Sequence, residues 1–111
     1  LARNLLHGEK RKVELGSMIA CDPELVLFDE PTAGMSSEQV PELIEIIHQV
    51  VRRYDRTAIL VEHRMDMVMS ISDVITVMNQ GRILAEGSPH EIANNDQVQA
   101  AYLGDLYGEL A

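Results

Sequence analysis

Basic charge is scarce in this chain: nine lysines and arginines stand against eighteen aspartates and glutamates, a net charge of −9 over 111 residues. A balance of that sign repels phosphodiester backbones and anionic lipid, so nucleic acid is not an expected partner. The one local exception, Lys10-Arg11-Lys12, reads as the solvated face of a helix. Cysteine is nearly absent. Cys21 alone excludes an internal disulfide and favours a reducing compartment, and its setting in Met18-Ile19-Ala20-Cys21 predicts a small core residue. No apolar run approaches the roughly 18 residues that a membrane-spanning helix needs. Nor does the pattern G-x-x-x-x-G-K-[S/T] occur, the loop whose amides and lysine grip the phosphates of a nucleotide. Leu1 rather than Met opens the chain, with no obvious entry element, so a piece of something longer is expected.

What remains is a globular composition, 46% apolar and 24% charged, with enough chain for one small domain and a modest core. Its most informative feature is Asp29-Glu30, set at the end of the apolar run Leu25-Val26-Leu27-Phe28 and followed by Pro31-Thr32. That places two carboxylates at the exit of a buried strand, the edge where an open α/β sheet presents chemistry to a ligand. Neighbouring side chains on a strand point to opposite faces, so the two acids divide their tasks. One can serve a hydrated metal ion while the other accepts a proton from water. An isolated Asp-Glu pair can instead merely cap the following turn.

The remaining elements follow from spacing. A helix is expected from just after Gly8 to Ala20, stopped by Asp22-Pro23. Val40, Leu43, Ile44, Ile47, Val50 and Val51 share one face of a second helix over 38–53, opened by a Ser36/Gln39 capping box with Pro41 in its first turn. Thr57–Val61 is a second strand, ending at Glu62-His63; Met65, Val68 and Met69 then line a helical face and are expected in the core, Met67 less so. Val74–Met78 turns through Asn79-Gln80-Gly81 into an antiparallel Arg82–Glu86. Ser88-Pro89-His90-Glu91 starts a further helix, and Asp96–Leu103 a last one, closed by Gly104. Strand, helix, strand, helix, strand is the rhythm of a parallel sheet with crossovers. No repeat, low-complexity segment or linker divides the chain.

In this order, Leu5-Leu6-His7-Gly8-Glu9, the strand Leu25–Glu30 with Pro31-Thr32-Ala33-Gly34, and Glu62-His63 resemble three elements of the ABC-type ATPases. They correspond to the signature motif, the Walker B strand and the switch histidine. The stretch from Asn79-Gln80-Gly81 to Ala85-Glu86-Gly87, with Ala101-Tyr102-Leu103-Gly104, is similar to the ATPase subunits of importers for branched-chain amino acids and related solutes. The resemblance covers essentially the whole chain. It implies the C-terminal part of a P-loop NTPase (RecA-like) ABC ATPase domain: an α/β fold with a mostly parallel sheet, flanking helices, a closing β-hairpin and short helices. The phosphate loop and glutamine loop would lie upstream, with the phosphate-loop strand between the strands that end at His63 and at Met78.

The resemblance implies roles as well. ATP is the substrate and Mg²⁺ the metal, held by Asp29 through water. Glu30 polarises the water that attacks the γ-phosphate, and His63 contacts that water and the phosphate. The signature residues Leu5, Leu6, His7, Gly8 and Glu9 aim a helix N-terminus at the ATP of an opposing subunit, and Gly34 and Ser36 belong to the dimer-crossing D-loop. The family usually has serine where Leu6 stands; leucine cannot donate to phosphate, a loss on the order of 1 kcal/mol. His7, His48 and His90 have no such context and read as surface or capping residues.

The implied partners are a second ATPase subunit, identical or different, membrane permease subunits and, indirectly, a periplasmic or extracellular solute-binding protein. The location would be cytoplasmic, on the inner face of the membrane. Two other classes stay open. One is a non-transport ABC ATPase, of the chromosome-maintenance or ribosome-associated kind; the acidic balance and the Ala-Tyr-Leu-Gly segment speak against it. The other is a degenerate, non-hydrolysing ABC module, for which Leu6 is the support and intact Glu30 and His63 the objection.

Overall fold

The computed structural model describes residues 7–102. They divide into two compact units, one up to Ile71 and one from Ser72 onward. Leu5 and Leu6 of the expected signature motif, and Leu103 and Gly104 of the last helix, lie outside the described residues.

The first unit runs α1 (His7–Ala20), β1 (Leu25–Asp29), α2 (Val40–Arg53), β2 (Thr57–Val61) and α3 (Met65–Ile71). Helix α1 ends as its proline demands. Asp22 turns into the left-handed region at φ 52°, its N–H donating to the Ile19 carbonyl at 2.9 Å, so the chain leaves helical geometry at the residue before Pro23. That tight exit leaves Cys21 exposed. The expected core placement of Cys21 is therefore corrected: the last turn of α1 carries it past the packed face. Lys10 and Lys12 are exposed as their charge requires, and Lys12 pairs with Glu42 of α2.

Strands β1 and β2 pair in parallel, Leu25 against Thr57 through Asp29 against Val61, with α2 as the crossover. One face of this ribbon supplies Val26 and Phe28 to a core completed by Leu15 of α1, Met35, Val40, Leu43 and Ile47 of α2, and Met67 of α3. Each fully buried aliphatic side chain contributes about 1.5–3 kcal/mol. The opposite face leaves Leu25, Leu27, Ile59 and Val61 half or more exposed.

Helix α2 begins at Val40, two residues later than its amphipathic pattern predicts. Of the Ser36/Gln39 box one half forms, the Ser36 N–H donating to Gln39 Oε1 at 3.1 Å, and residues 37–39 make a turn before the helix proper. The apolar face is as read: Val40, Leu43, Ile47 and Val50 are buried, with Ile44 and Val51 at its margin. His48 is corrected from a surface residue to a half-buried one, whose Nε2 is enclosed with no partner among the described residues. In α3 the expectation is reversed. Met67 is fully buried, while Met65, Val68 and Met69 are only partly so, because the short helix presents its middle residue to the core.

The second unit holds β3 (Ile75–Asn79), β4 (Arg82–Gly87) and α4 (Pro89–Ala93), followed by helical residues 96–102. Gln80 and Gly81 both have positive φ, 51° and 77°, the geometry of a two-residue hairpin turn matched to strand twist. Strand β3 pairs antiparallel with β4, as expected of the hairpin, so the described residues hold two two-stranded sheets, one parallel and one antiparallel. The Ser88 capping box is complete: Ser88 Oγ accepts from the Glu91 N–H at 3.2 Å and Glu91 Oε1 from the Ser88 N–H. Gly87 makes room for it, since a Cβ there would meet the Glu91 side chain at 3.0 Å. Asn95 caps the next helix through the Val98 N–H.

Candidate active site

Aligned parallel strands release their chains at the same edge, so whatever follows β1 meets whatever follows β2. Asp29 is the last residue of β1, on the exposed face with Leu25 and Leu27, opposite the face that buries Val26 and Phe28. Glu30 follows at φ 44°, with its N–H donating to the Val61 carbonyl at 2.8 Å. A left-handed glutamate costs about 1–3 kcal/mol, which that strand-like hydrogen bond helps to hold.

The Glu30 carboxylate faces the residue expected beside it. Glu30 Oε1 lies 3.4 Å from His63 Nδ1, both side chains being largely exposed. Next to them is a group to which sequence reasoning gave no role. Glu62 has a side chain with no exposed surface. Its Oε1 accepts the Thr32 N–H at 3.0 Å and the Thr32 hydroxyl, and its Oε2 accepts the His63 N–H at 3.1 Å. Burial pushes this carboxyl up, but the bonds from the Thr32 hydroxyl and amide and from the His63 and Arg64 amides outweigh it and hold Glu62 below its ordinary value. Arg64 adds a second tie, its guanidinium donating to the Met35 carbonyl at 3.0 Å. Thr32 stands behind the acid pair and Glu62 beside the histidine, but no local pattern marks either tie.

Gly34 and Ser36 lie in the turn between β1 and α2. Gly34 has φ 77°, a conformation open to glycine, and Ser36 is exposed. His7, Gly8 and Glu9 form the first turn of α1. His90 is exposed in the first turn of α4.

No group of three His, Cys, Asp or Glu side chains that could hold a metal occurs among the described residues. Mg²⁺ is commonly bound through one or two carboxylates, with water and substrate phosphates filling the rest of its shell. A single exposed carboxylate at a strand exit, Asp29, fits that mode and does not fit an all-protein cage.

Known proteins resemble this chain in sequence and in fold. A family model described as the branched-chain amino acid ATP-binding cassette transporter matches residues 82–106. The high-affinity branched-chain amino acid transport ATP-binding protein LivG of Salmonella typhimurium is 43% identical over 94% of this chain and 41% of its own. The corresponding BraF of Pseudomonas aeruginosa is 38% identical over the same shares. In structure, cbiO1 from Clostridium perfringens, part of the ABC transporter complex cbiONQ, aligns with a TM-score of 0.78 at 25% identity, over 98% of this chain and 45% of its own. The chain thus spans about 41% of the length of LivG and BraF.

Proposed function

We propose, for a chain that belongs to the ABC-type ATP-binding proteins, that it is the C-terminal portion of one ATPase domain and supplies the hydrolytic half of an ATP site. The observation that carries this reading is the 3.4 Å approach of Glu30 Oε1 to His63 Nδ1 at the shared exit of two parallel strands. Glu30 orients the attacking water and accepts its proton. His63 donates a hydrogen bond toward the transferring γ-phosphate, so that both groups are preset where charge develops. Asp29 holds the water shell of Mg²⁺, which when bound neutralises phosphate charge. The signature residues Leu5, Leu6, His7, Gly8 and Glu9 would serve the nucleotide of a second ATPase subunit, and Gly34 and Ser36 the crossing between the two. The amides that cradle the β- and γ-phosphates come from a phosphate loop upstream of these residues.

The work coupled to hydrolysis is uptake of branched-chain amino acids or a related small solute, through permease subunits fed by a solute-binding protein, with this subunit on the cytoplasmic side. Support comes from the LivG and BraF relatives and from the family match over 82–106. No helix among the described residues is long and apolar enough to cross a membrane. The test is ATP turnover by the full-length protein with its permease. Solute-stimulated hydrolysis that disappears in Glu30→Gln supports the reading, and turnover indifferent to Glu30 removes it.

A further inference from the structure

We infer that Glu62 and Arg64 are positioning residues for hydrolysis, fastening the β2–α3 loop to the turn after β1 on either side of His63. The inference rests on the functional reading above and deepens it.

Its physical basis is that His63 cannot be held by packing. The imidazole is 72% exposed, so its direction is set by the backbone that carries it. That backbone lies in a three-residue connection between β2 and α3, with no secondary structure of its own. Glu62 fixes the N-terminal side. Its side chain is fully buried, a placement that carboxylates take only with full hydrogen-bond compensation. The partners divide between two loops: Oε1 takes both donors of Thr32, while Oε2 takes the amide of His63 itself. Thr32 is 1% exposed, so its amide and hydroxyl need an acceptor inside the fold. Arg64 fixes the C-terminal side by its bond to the carbonyl of Met35, a core residue. Both ties therefore end on the turn that carries Gly34 and Ser36, and they span the same short gap that Glu30 and His63 face across.

Neither residue needs to touch nucleotide. Glu62 Oε2 lies 3.9 Å from His63 Nδ1, beyond hydrogen-bond length, so it acts through the loop rather than in competition with Glu30. A loosened loop would leave ATP bound and misplace the imidazole, and a displacement of about 1 Å in a reacting group can cost 100-fold in rate.

The experiment measures steady-state phosphate release and ATP affinity in the full-length protein, comparing wild type with Glu62→Ala, Glu62→Gln, Arg64→Ala and Thr32→Val. The expected result is a kcat loss of about ten-fold or more in Glu62→Ala with KM for ATP changed by less than about two-fold. Glu62→Gln, which keeps an acceptor for Thr32, recovers part of that loss. Arg64→Ala shows a smaller kcat loss, also at constant KM. Thr32→Val combined with Glu62→Ala costs no more than Glu62→Ala alone, because both cut the same tie. Should Glu62→Ala fail to fold, Thr32→Val and Arg64→Ala carry the same comparison. A kcat within about two-fold of wild type in the folded variants overturns the inference and leaves the ATPase reading standing. Equal damage to kcat, KM and melting temperature assigns the ties to folding and overturns it as well. A wild-type protein without hydrolysis removes the underlying reading first, and the positioning role with it.

Discussion

Glu30 and His63 stand 3.4 Å apart, Oε1 to Nδ1, although helix α2 and strand β2 separate them in sequence. Register makes the meeting possible. Asp29 is paired with Val61, so the first residues beyond each strand begin level with one another. The left-handed backbone at Glu30 then turns its carboxylate toward the neighbouring exit. Four consequences can be measured.

Glu30→Gln keeps the shape of the side chain and removes its basicity. In the full-length protein it is expected to abolish steady-state ATP turnover while leaving ATP affinity within a factor of about two. Phosphate release and equilibrium nucleotide binding measured on one preparation check both halves. Retained turnover would transfer the role of base to another group.

Met67 and Met69 differ in burial although they sit two residues apart on α3. Met67→Ala is expected to cost about 2–5 kcal/mol of stability, because it empties a site with no exposed surface. Met69→Ala, at a partly exposed position, is expected to cost much less. Urea unfolding of the two variants decides it, and equal midpoints would contradict the packing described for α3.

Acid is expected to loosen the two loops through Glu62. Its folded-state pKa lies below the ordinary value of 4.5, so its contribution to stability is complete above that pH and is lost as pH falls through the lowered value. Burial works against this shift, and the Thr32 hydroxyl is foremost among the bonds that overcome it. Thr32→Val is therefore expected to shrink the loss of stability below about pH 4.5 relative to wild type. Denaturant midpoints across an acid series check this. Superimposable pH profiles would show that the bond does not hold the carboxylate charged.

The exposed face of the β1–β2 ribbon predicts the behaviour of the 111-residue chain by itself. Leu25, Leu27, Ile59 and Val61 lie side by side on one face, half or more exposed. Such an apolar patch favours association. The purified chain is expected to bind a hydrophobic dye, to self-associate and to show no appreciable ATP affinity. Cooperative thermal unfolding of a monomer with micromolar ATP affinity would contradict all three.

Much of the fold was legible because its signals are local. The α2 stripe, the Gln80-Gly81 hairpin turn and the Ser88 capping box each follow from residues within one helical turn or one hairpin of each other. Glu30 and His63 could be singled out because each follows a short apolar run. Met67 was misread because burial depends on where a neighbouring element lies, and periodicity over a seven-residue helix constrains that weakly. Cys21 was misread because the turn before Pro23 takes it off the packed face of α1. The Thr32–Glu62 and Arg64–Met35 ties had no local signature. A buried carboxylate and an exposed one look alike until their partners arrive from another strand.

By itself, then, the order of residues determined which segments coil, extend or turn, and which acids and imidazole stand at the ends of apolar runs, because those outcomes depend on steric and hydrogen-bonding preferences between near neighbours. Tertiary structure alone decided which of these groups face one another. Parallel pairing brings the exits of β1 and β2 level, and the cost of burying charge forces Glu62 to find its donors in Thr32 on the opposite loop.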